Sequence, residues 1–290
     1  MGRLKIYQSQ GWETLPCTAQ QVWQKVISSY TRAAAVDSQD NIYVGDSSSY
    51  LTKFSSDGTQ IWQKMMSGSI YTVAVDSQNN VYIGSKSYLT KFNSDGTQIW
   101  QKMMSGSIYT VAVDSQDDVY TGDYNNFVTK FSSDGTQIWQ QKMSNFVLAV
   151  AVDSQNNVYA TDGILNLAKF SSDGTQIWQK KMSDSAAALA VDSQDYIYAG
   201  GSITTKFSSD GTQIWQKMMS GSIQGVAVDS QDNVYAGDSS SYLTKFSSDG
   251  TQIWQKMMSG CIYTVAVDSQ DNIYTGDDNY CLTKFENDFL

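Results

Sequence analysis

Residues 35–62 read AVDSQDNIYVGDSSSYLTKFSSDGTQIW, and close copies of this segment fill almost the whole chain. A fixed period of this length is typical of repeat folds, in which each repeat forms one supersecondary unit. The chain is therefore predicted to be one repeat array. The pentapeptide AVDSQ marks the units and begins at Ala35, Ala74, Ala112, Ala151, Ala190, Ala227 and Ala266, at intervals of 37 to 39 residues.

The unit that spans residues 70–102 contains four short extended segments. Residues 70–75 (IYTVAV) and 80–84 (NVYIG) are rich in β-branched and aromatic residues, and an Asp-Ser-Gln turn separates them. Residues 88–92 (YLTKF) and 97–102 (TQIWQK) follow, with a Ser-Asp-Gly hairpin signal between them. Four antiparallel strands per unit predict one propeller blade. Seven units predict an all-β, seven-bladed β-propeller of four-stranded antiparallel blades.

A tryptophan in the predicted fourth strand precedes the aspartate of the next AVDSQ by 14 residues, as Trp62 precedes Asp76. The last unit ends at residues 284–285 without a tryptophan, but Trp23 stands 14 residues before Asp37. We therefore predict that the amino-terminal strand completes blade seven and closes the ring, which removes free sheet edges. Each tryptophan is predicted to bury a large aromatic surface between neighbouring blades.

The unit AVDSQDNIYVGD…YLTKFSSDGTQIW resembles the bacterial β-propeller repeats of the SBBP and NHL type. Its Asp-Gly-Thr-x-x-Trp end is similar to the tryptophan-docking blade of PQQ-like propellers. The resemblance covers residues 20–285 and implies that the AVD strand is innermost, at a central channel, and the tryptophan strand outermost. This architecture hosts enzymes, sugar binders and protein docking platforms, so function must be argued from the site.

The repeats suggest a division into an amino-terminal leader, residues 1–19, and a propeller, residues 20–290. Residues 2–15 are predicted to form a small hairpin around a Gln-Ser-Gln-Gly turn. The motif K-I-Y-x-x-x-x-W at residues 5–12 resembles the opening of many tailed-phage fibre and head-fibre proteins, which implies attachment to a particle. The start lacks the apolar core of a signal peptide, and no apolar run approaches the roughly 18 residues of a membrane span. We expect no membrane insertion and no export by the usual route.

Composition narrows the classes of function. The chain has 29 acidic and 19 basic residues, a formal net charge of −10, and no basic stripe, so we expect no nucleic-acid partner. Three cysteines, Cys17, Cys261 and Cys281, match neither a disulfide framework nor paired metal ligands and are predicted to be reduced thiols. The chain contains no histidine, which removes the commonest general base. We expect no catalytic residue, no metal and no cofactor.

Each AVDSQ aspartate, from Asp37 to Asp268, ends a predicted innermost strand. It could cap its own Ser-Gln turn or join an acidic collar that holds a cation. Calcium prefers several oxygen ligands within one loop, which favours the capping role. The third-strand lysines, from Lys53 to Lys284, are predicted to pack their stems on the strand and keep their charges in solvent.

Variation among the repeats is concentrated in two connections, from second to third strand and from fourth strand to the next blade. In an up-and-down blade both connections fall on one side of the disc, here called the variable face. Binding residues usually lie in loops on a rigid scaffold. The alternative is that these loops drift because no tight turn constrains them. The predicted contact residues are Tyr124, Asn126, Phe127, Phe146, Ile164, Leu165 and Asn166.

These features predict a non-enzymatic binding module. Our first hypothesis is a phage virion surface protein, made in the cytoplasm, that recognises a host-surface glycan or protein through the variable face. Residues 1–19 would then contact other virion proteins. The alternative is a cytoplasmic protein-interaction scaffold of the NHL-like type. A quinone-dependent or sugar-acting enzyme is the third hypothesis.

Overall fold

The computed structural model of the protein describes residues 7–8, 11–12 and 19–286. All regular structure in these residues is β-strand, arranged as seven four-stranded sheets and one two-stranded ladder. The predicted all-β, seven-bladed propeller is confirmed. The described part of the chain contains no helix with the length and apolarity needed to cross a membrane.

The ladder lies in the predicted leader. Strand β1 (Tyr7–Gln8) pairs antiparallel with β2 (Gly11–Trp12), with Tyr7 opposite Trp12. The other residues of the predicted hairpin, 2–6, 9–10 and 13–15, lie outside the described residues, as does Cys17.

The blades follow one another in chain order, and the strands of each sheet pair in sequence order, except that β3 forms the fourth strand of blade 7. Blade 1 contains β4 (Thr31–Val36), β5 (Ile42–Asp46), β6 (Tyr50–Phe54) and β7 (Gln60–Met65). Blade 2 contains β8 (Ile70–Val75), β9 (Val81–Ser85), β10 (Tyr88–Phe92) and β11 (Gln98–Met103). Blade 3 contains β12 (Ile108–Val113), β13 (Val119–Asp123), β14 (Phe127–Phe131) and β15 (Gln137–Lys142). Blade 4 contains β16 (Val147–Val152), β17 (Val158–Asp162), β18 (Asn166–Phe170) and β19 (Gln176–Lys181). Blade 5 contains β20 (Ala188–Val191), β21 (Ile197–Gly200), β22 (Ile203–Phe207) and β23 (Gln213–Met218). Blade 6 contains β24 (Ile223–Val228), β25 (Val234–Asp238), β26 (Tyr242–Phe246) and β27 (Gln252–Met257), and blade 7 contains β28 (Ile262–Val267), β29 (Ile273–Asp277), β30 (Cys281–Glu286) and β3 (Gln20–Val26).

The first strand of each blade is innermost. First strands of successive blades contact one another around the whole ring, including β28 with β4, and each fourth strand pairs only with the third strand of its blade. This is the strand order that the resemblance implies. The two variable connections therefore share one face of the disc, as predicted, and the DSQDN and SSDGT turns share the other.

Burial follows position within the blade. The second strand is fully buried, as in β5, because neighbouring blades cover both of its faces. The fourth strand alternates between exposed and half-buried residues, as in β7, because only one side faces a neighbouring blade. The core lies between the blades, where Tyr43 of blade 1 belongs to the same apolar cluster as Ile70 and Phe92 of blade 2.

Ring closure takes place within blade 7. Strand β3 pairs antiparallel with β30, and Trp23 lies opposite Lys284. The amino-terminal strand thus completes the blade that the carboxyl-terminal residues leave unfinished, which confirms the prediction from tryptophan spacing.

Tryptophan and lysine side chains join each blade to the next. Trp62 Nε1 and Lys53 Nζ of blade 1 both donate to the main-chain oxygen of Ser94 in blade 2, each at 3.2 Å. The turn at residues 93–96 (NSDG) brings its backbone close to the indole, and Gly96 of that turn has a φ of 84°, which favours glycine. The same two-donor contact recurs at Ser56, Ser133, Ser172, Ser209 and Ser248.

The prediction that the third-strand lysines keep their charges in solvent is wrong. Lys53 is only 5% exposed, and its Nζ lies 3.2 Å from Asp37 Oδ2 and 4.8 Å from the centre of the Tyr43 ring. The carboxylate, the ring and the carbonyl of the next blade replace water around the charge. Equivalent ion pairs join Lys91 to Asp76, Lys130 to Asp114, Lys169 to Asp153, Lys206 to Asp192, Lys245 to Asp229 and Lys284 to Asp268.

The capping role of the AVDSQ aspartates is confirmed. Asp37 Oδ1 accepts hydrogen bonds from the backbone N–H groups of Gln39 and Asn41 at 3.0 and 2.9 Å. Burial raises the pKa of Asp37, but hydrogen bonds from Asn41, Gln39 and Lys53 outweigh burial and hold that pKa below its ordinary value. Each aspartate thus joins its own turn to the lysine that contacts the next blade.

Candidate binding surface on the variable face

The seven first strands enclose a central channel with a cavity volume of about 200 Å³. In six blades a β-bulge interrupts the start of the first strand, as between Ile70 and Thr72, and the extra residue lines the channel mouth. Bulges of this kind re-aim a side chain. The mouth on the variable face is ringed by one residue per blade: Ala187 of blade 5, which directly precedes β20, and the six bulge residues Arg32, Tyr71, Tyr109, Leu148, Gln224 and Tyr263.

Four aromatic side chains meet beside this mouth and are called the aromatic cluster: Tyr71, Tyr109, Tyr124 and Phe146. The Tyr124 and Phe146 rings are stacked, with centroids 5.8 Å apart and an interplanar angle of 16°. Tyr109 meets both rings edge-on, at 6.1 Å and 6.4 Å, and Tyr71 lies 5.8 Å from Tyr109. The Arg32 guanidinium lies 5.1 Å from the centre of the Tyr71 ring and extends the cluster toward blade 1.

The stacked pair is built from two separate connections. Tyr124 follows β13 in blade 3, and its backbone N–H donates to Ser107 O at 2.9 Å. Phe146 lies between blades 3 and 4, and its main-chain oxygen accepts from Gly163 N at 3.0 Å. Gly163 leaves room for the ring, because a Cβ at that position would lie 2.5 Å from Phe146 Cζ. Each ring is therefore anchored by a backbone hydrogen bond to a different neighbouring connection, at Ser107 for Tyr124 and at Gly163 for Phe146.

Buried aspartates shape the turns below these rings. Asp123 Oδ1 accepts from Phe127 N at 2.8 Å, whereas its Oδ2 is buried without a hydrogen-bond partner in the described structure. Burial raises the pKa of Asp123 above its ordinary value, although hydrogen bonds to its turn oppose the effect. In blade 4 the equivalent Asp162 has both oxygens satisfied, because Asn166 donates its backbone N–H at 2.9 Å and its side-chain amide at 2.7 Å.

The predicted contact residues differ in how far their side chains are exposed to solvent. Tyr124 and Ile164 are 57% and 42% exposed. Asn166 is 6% exposed, and its amide donates to Asp162, so its side chain belongs to the turn and we leave it out of the candidate surface. Half-buried side chains are found at Asn126, Phe127, Phe146 and Leu165, of which Asn126 and Leu165 adopt positive φ at the same turn position of neighbouring blades.

Sequence reasoning missed Arg32, Tyr71 and Tyr109. A usable signal was present, because the position after the first residue of the innermost strand varies from arginine to tyrosine, leucine and glutamine while the AVD segment hardly changes. The bulge that turns this position toward the channel mouth has no sequence signature in these repeats.

The cysteines and the possible metal ligands do not form a second candidate site in the described residues. Cys261 and Cys281 are free, in line with the predicted reduced thiols, and Cys261 Sγ donates to Ser239 O at 2.9 Å. Within residues 19–286 no three His, Cys, Asp or Glu side chains converge as metal ligands. The distinctive surface is therefore aromatic and neutral, with one flanking arginine. A rigid seven-bladed β-propeller with such a face belongs to the class of binding and protein-interaction propellers.

Comparison with known families agrees with this class. A family model described as outer membrane protein assembly factor BamB matches residues 14–111 and 85–210, which together span more than half of the chain. The chain belongs to this family of PQQ-like β-propeller repeats. No curated protein matches the chain.

Proposed function

We propose that this protein is a non-enzymatic binding module whose ligand contacts the aromatic cluster on the variable face. The observation that carries the proposal is the stacked pair of Tyr124 and Phe146, of which Tyr124 is 57% exposed. Exposed aromatic rings on a rigid frame bury a large area when a partner covers them, and they lose little side-chain entropy.

The origin of the pair supports the proposal. The repeat has serine at both positions, for example Ser47 where blade 3 has Tyr124, and Ser69 where the next connection has Phe146. Two departures from the repeat, on connections that belong to different blades, thus meet in space. Independent drift of unconstrained loops gives no reason for such a meeting.

A non-enzymatic role is supported by the use of the buried carboxylates. The AVDSQ aspartates, which would be the obvious acid–base candidates near the channel, are each within 3.4 Å of a lysine Nζ. They also cap their own turns, as Asp37 does. Their charges are thereby committed to holding blades together.

Reversion to the parent repeat gives a direct test. A yeast-displayed random peptide library and an array of oligosaccharides would be screened for ligands of the wild-type protein. The Y124S/F146S variant should lose these ligands, and its stability should stay within about 1 kcal/mol of wild type, since serine occupies both positions in sibling blades. A second aromatic pair on the same face, Tyr30 and Tyr280 with centroids 5.3 Å apart, gives the matched control Y30S/Y280S. Ligands that bind wild type and Y124S/F146S equally would contradict the proposal.

Two biological settings could use this surface. The leader motif at residues 5–12 supports a virion surface protein that recognises a host-surface ligand. The family match supports a cellular scaffold, because its description names an assembly factor. Labelling of purified particles with an antibody against the chain separates the settings, since only the virion setting predicts labelled particles.

A further inference from the structure

We infer that the aromatic cluster binds a neutral carbohydrate, with a sugar ring against Tyr124 and its hydroxyl groups at the amides of Asn125 and Asn145. This inference rests on the proposed function and names the ligand class. It draws on three properties of the surface, which are the aromatic rings, the flanking amides and the local absence of charge.

The rings provide an apolar surface of suitable shape. Tyr124 and Phe146 lie within 16° of parallel, and Tyr109 stands nearly perpendicular to Tyr124, at 81°. Tyr124 is 57% exposed and its ring is called the aromatic floor, and the Tyr109 ring is nearly perpendicular to it. A pyranose ring has an apolar face of C–H groups and a rim of hydroxyls, so one face can cover an aromatic floor while the rim stays polar.

The flanking amides provide neutral hydrogen-bonding groups. Asn125 is exposed, and its side chain makes no hydrogen bond within the described residues. The Asn145 Oδ1 accepts from Phe146 N at 2.9 Å, which fixes the amide and leaves its N–H groups available. An amide offers both donors and acceptors, which matches the dual character of a sugar hydroxyl.

Both amides are further departures from the repeat. The parent unit has Ser48 at the position of Asn125 and Gly68 at the position of Asn145. Each amide lies against a glycine: a Cβ at Gly106 would lie 3.0 Å from Asn125 Nδ2, and a Cβ at Gly163 would lie 2.8 Å from Asn145 Oδ1. The four departures are thus the stacked pair of Tyr124 and Phe146 and the residue next to each in the chain, Asn125 and Asn145.

The local charge favours a neutral ligand over a charged one. Residues 124–127 (YNNF) and 144–146 (SNF) contain no charged side chain, although the whole chain has a net charge of −10. Asp123, next to this patch, is 1% exposed and faces its own turn. A basic partner would be drawn by exposed carboxylates, and an anionic ligand by a cationic cluster. The patch offers neither.

The probe is an array of neutral oligosaccharides, followed by saturation-transfer NMR and titration calorimetry with the best-binding sugar. Four proteins are compared: wild type, Y124S/F146S, N125S/N145G and Y30S/Y280S. Each substitution in the first two variants restores the parent repeat, so the fold is retained. We expect a loss of affinity of roughly tenfold or more for both, and no change for Y30S/Y280S. The N125S/N145G variant keeps the aromatic floor and isolates the contribution of the amides.

The outcomes separate the two proposals. Sugar binding that the cluster variants lose supports the inference. Absence of binding by any neutral oligosaccharide, with selected peptides that still require Tyr124 and Phe146, overturns the carbohydrate inference and leaves the binding module intact. Sugars that bind all four proteins equally overturn both.

Discussion

The indole of Trp23 and the ammonium group of Lys284 donate hydrogen bonds to one acceptor, the main-chain oxygen of Ser56, at 3.0 and 3.1 Å. The two donors come from opposite ends of the chain, and the acceptor belongs to blade 1. Internal interfaces have the same arrangement, as Trp62 and Lys53 show at Ser94. The interface between blades 7 and 1, here called the seam, therefore has the same hydrogen bonds as an internal interface. It differs in one respect, since no loop connects β30 to β3 within blade 7.

Loss of Trp23 should loosen the seam more than loss of an internal tryptophan loosens its interface. We expect W23A to destabilise the fold by about 3 kcal/mol and to speed amide exchange along β3 and β30, because the indole fixes an otherwise detachable strand. The matched control is W100A, whose indole makes the equivalent bond to Ser133 O at 3.1 Å within continuous chain. Hydrogen exchange measured by mass spectrometry checks the prediction. Equal exchange in β3 of both variants would contradict it.

Removal of one partner of a buried ion pair should be costly. We expect K53M to lower the free energy of unfolding by about 3–5 kcal/mol, because Asp37 is left buried with an uncompensated charge. The double variant D37N/K53M should recover much of the loss, since no charge is then buried. Urea denaturation of the two variants and of D37N completes the cycle. A double variant as unstable as K53M would show that the pair is not the source of the loss.

The Asp123 carboxylate gives a pH-dependent prediction. Its pKa is raised in the folded protein, so ionisation of Asp123 costs stability above that raised pKa, and the cost disappears as the pH falls to the ordinary aspartate range. The variant F127N should supply the amide donor that Asn166 gives Asp162 at 2.7 Å. We expect it to lower the pKa of Asp123 and to remove most of this pH dependence.

Carboxyl-resonance NMR titration of Asp123 measures the effect directly. The control is F127Y, because tyrosine starts the third strand in blades 1, 2 and 6 and brings no amide to the carboxylate. An unchanged pKa of Asp123 in F127N would show that the new amide does not reach Oδ2.

Exposed methionines should be oxidised faster than buried ones. Hydrogen peroxide converts an accessible thioether to a sulfoxide, so exposure sets the order. Met143 and Met182 are 4% and 8% exposed and should remain unmodified while the fold holds. Peptide mapping by mass spectrometry after a peroxide time course checks this order, and oxidation of Met143 at the rate of exposed methionines would contradict it. The residues expected to react first are Met65, Met103, Met218 and Met257, which are 71%, 77%, 86% and 70% exposed.

The fold was predictable because its determinants are local and repeated. Strand and turn residues recur every 37 to 39 residues, and the distance from Trp23 to Asp37 reproduces the internal spacing from Trp62 to Asp76. The last repeat lacks a fourth strand, and the residues before the first repeat contain an unpaired tryptophan strand. Only one pairing of the two closes the ring. Pairing of β3 with β30 follows from these features alone.

The state of the lysines and the composition of the surface were not predictable in the same way. Lys53 is buried because Asp37, Tyr43 and the oxygen of Ser94 converge on it, and the last group comes from a different blade. Asn166 has the composition of a contact residue, but its position at the start of β18 turns the amide onto Asp162. Such outcomes depend on packing between elements, which a repeat pattern does not encode.

Pairing of β3 with β30 also sets the order of events during synthesis. The ribosome makes β3 before any other strand of the propeller and its partner β30 after all the others. Blade 7 therefore cannot form on a nascent chain until β30 has emerged, and until then β3 has no sheet to join. Blades 1 to 6 can assemble as they emerge, but the apolar sides of blades 1 and 6 that face blade 7 stay uncovered until blade 7 forms. Closure of the propeller thus requires β3, its first strand in the chain, to pair with β30, its last.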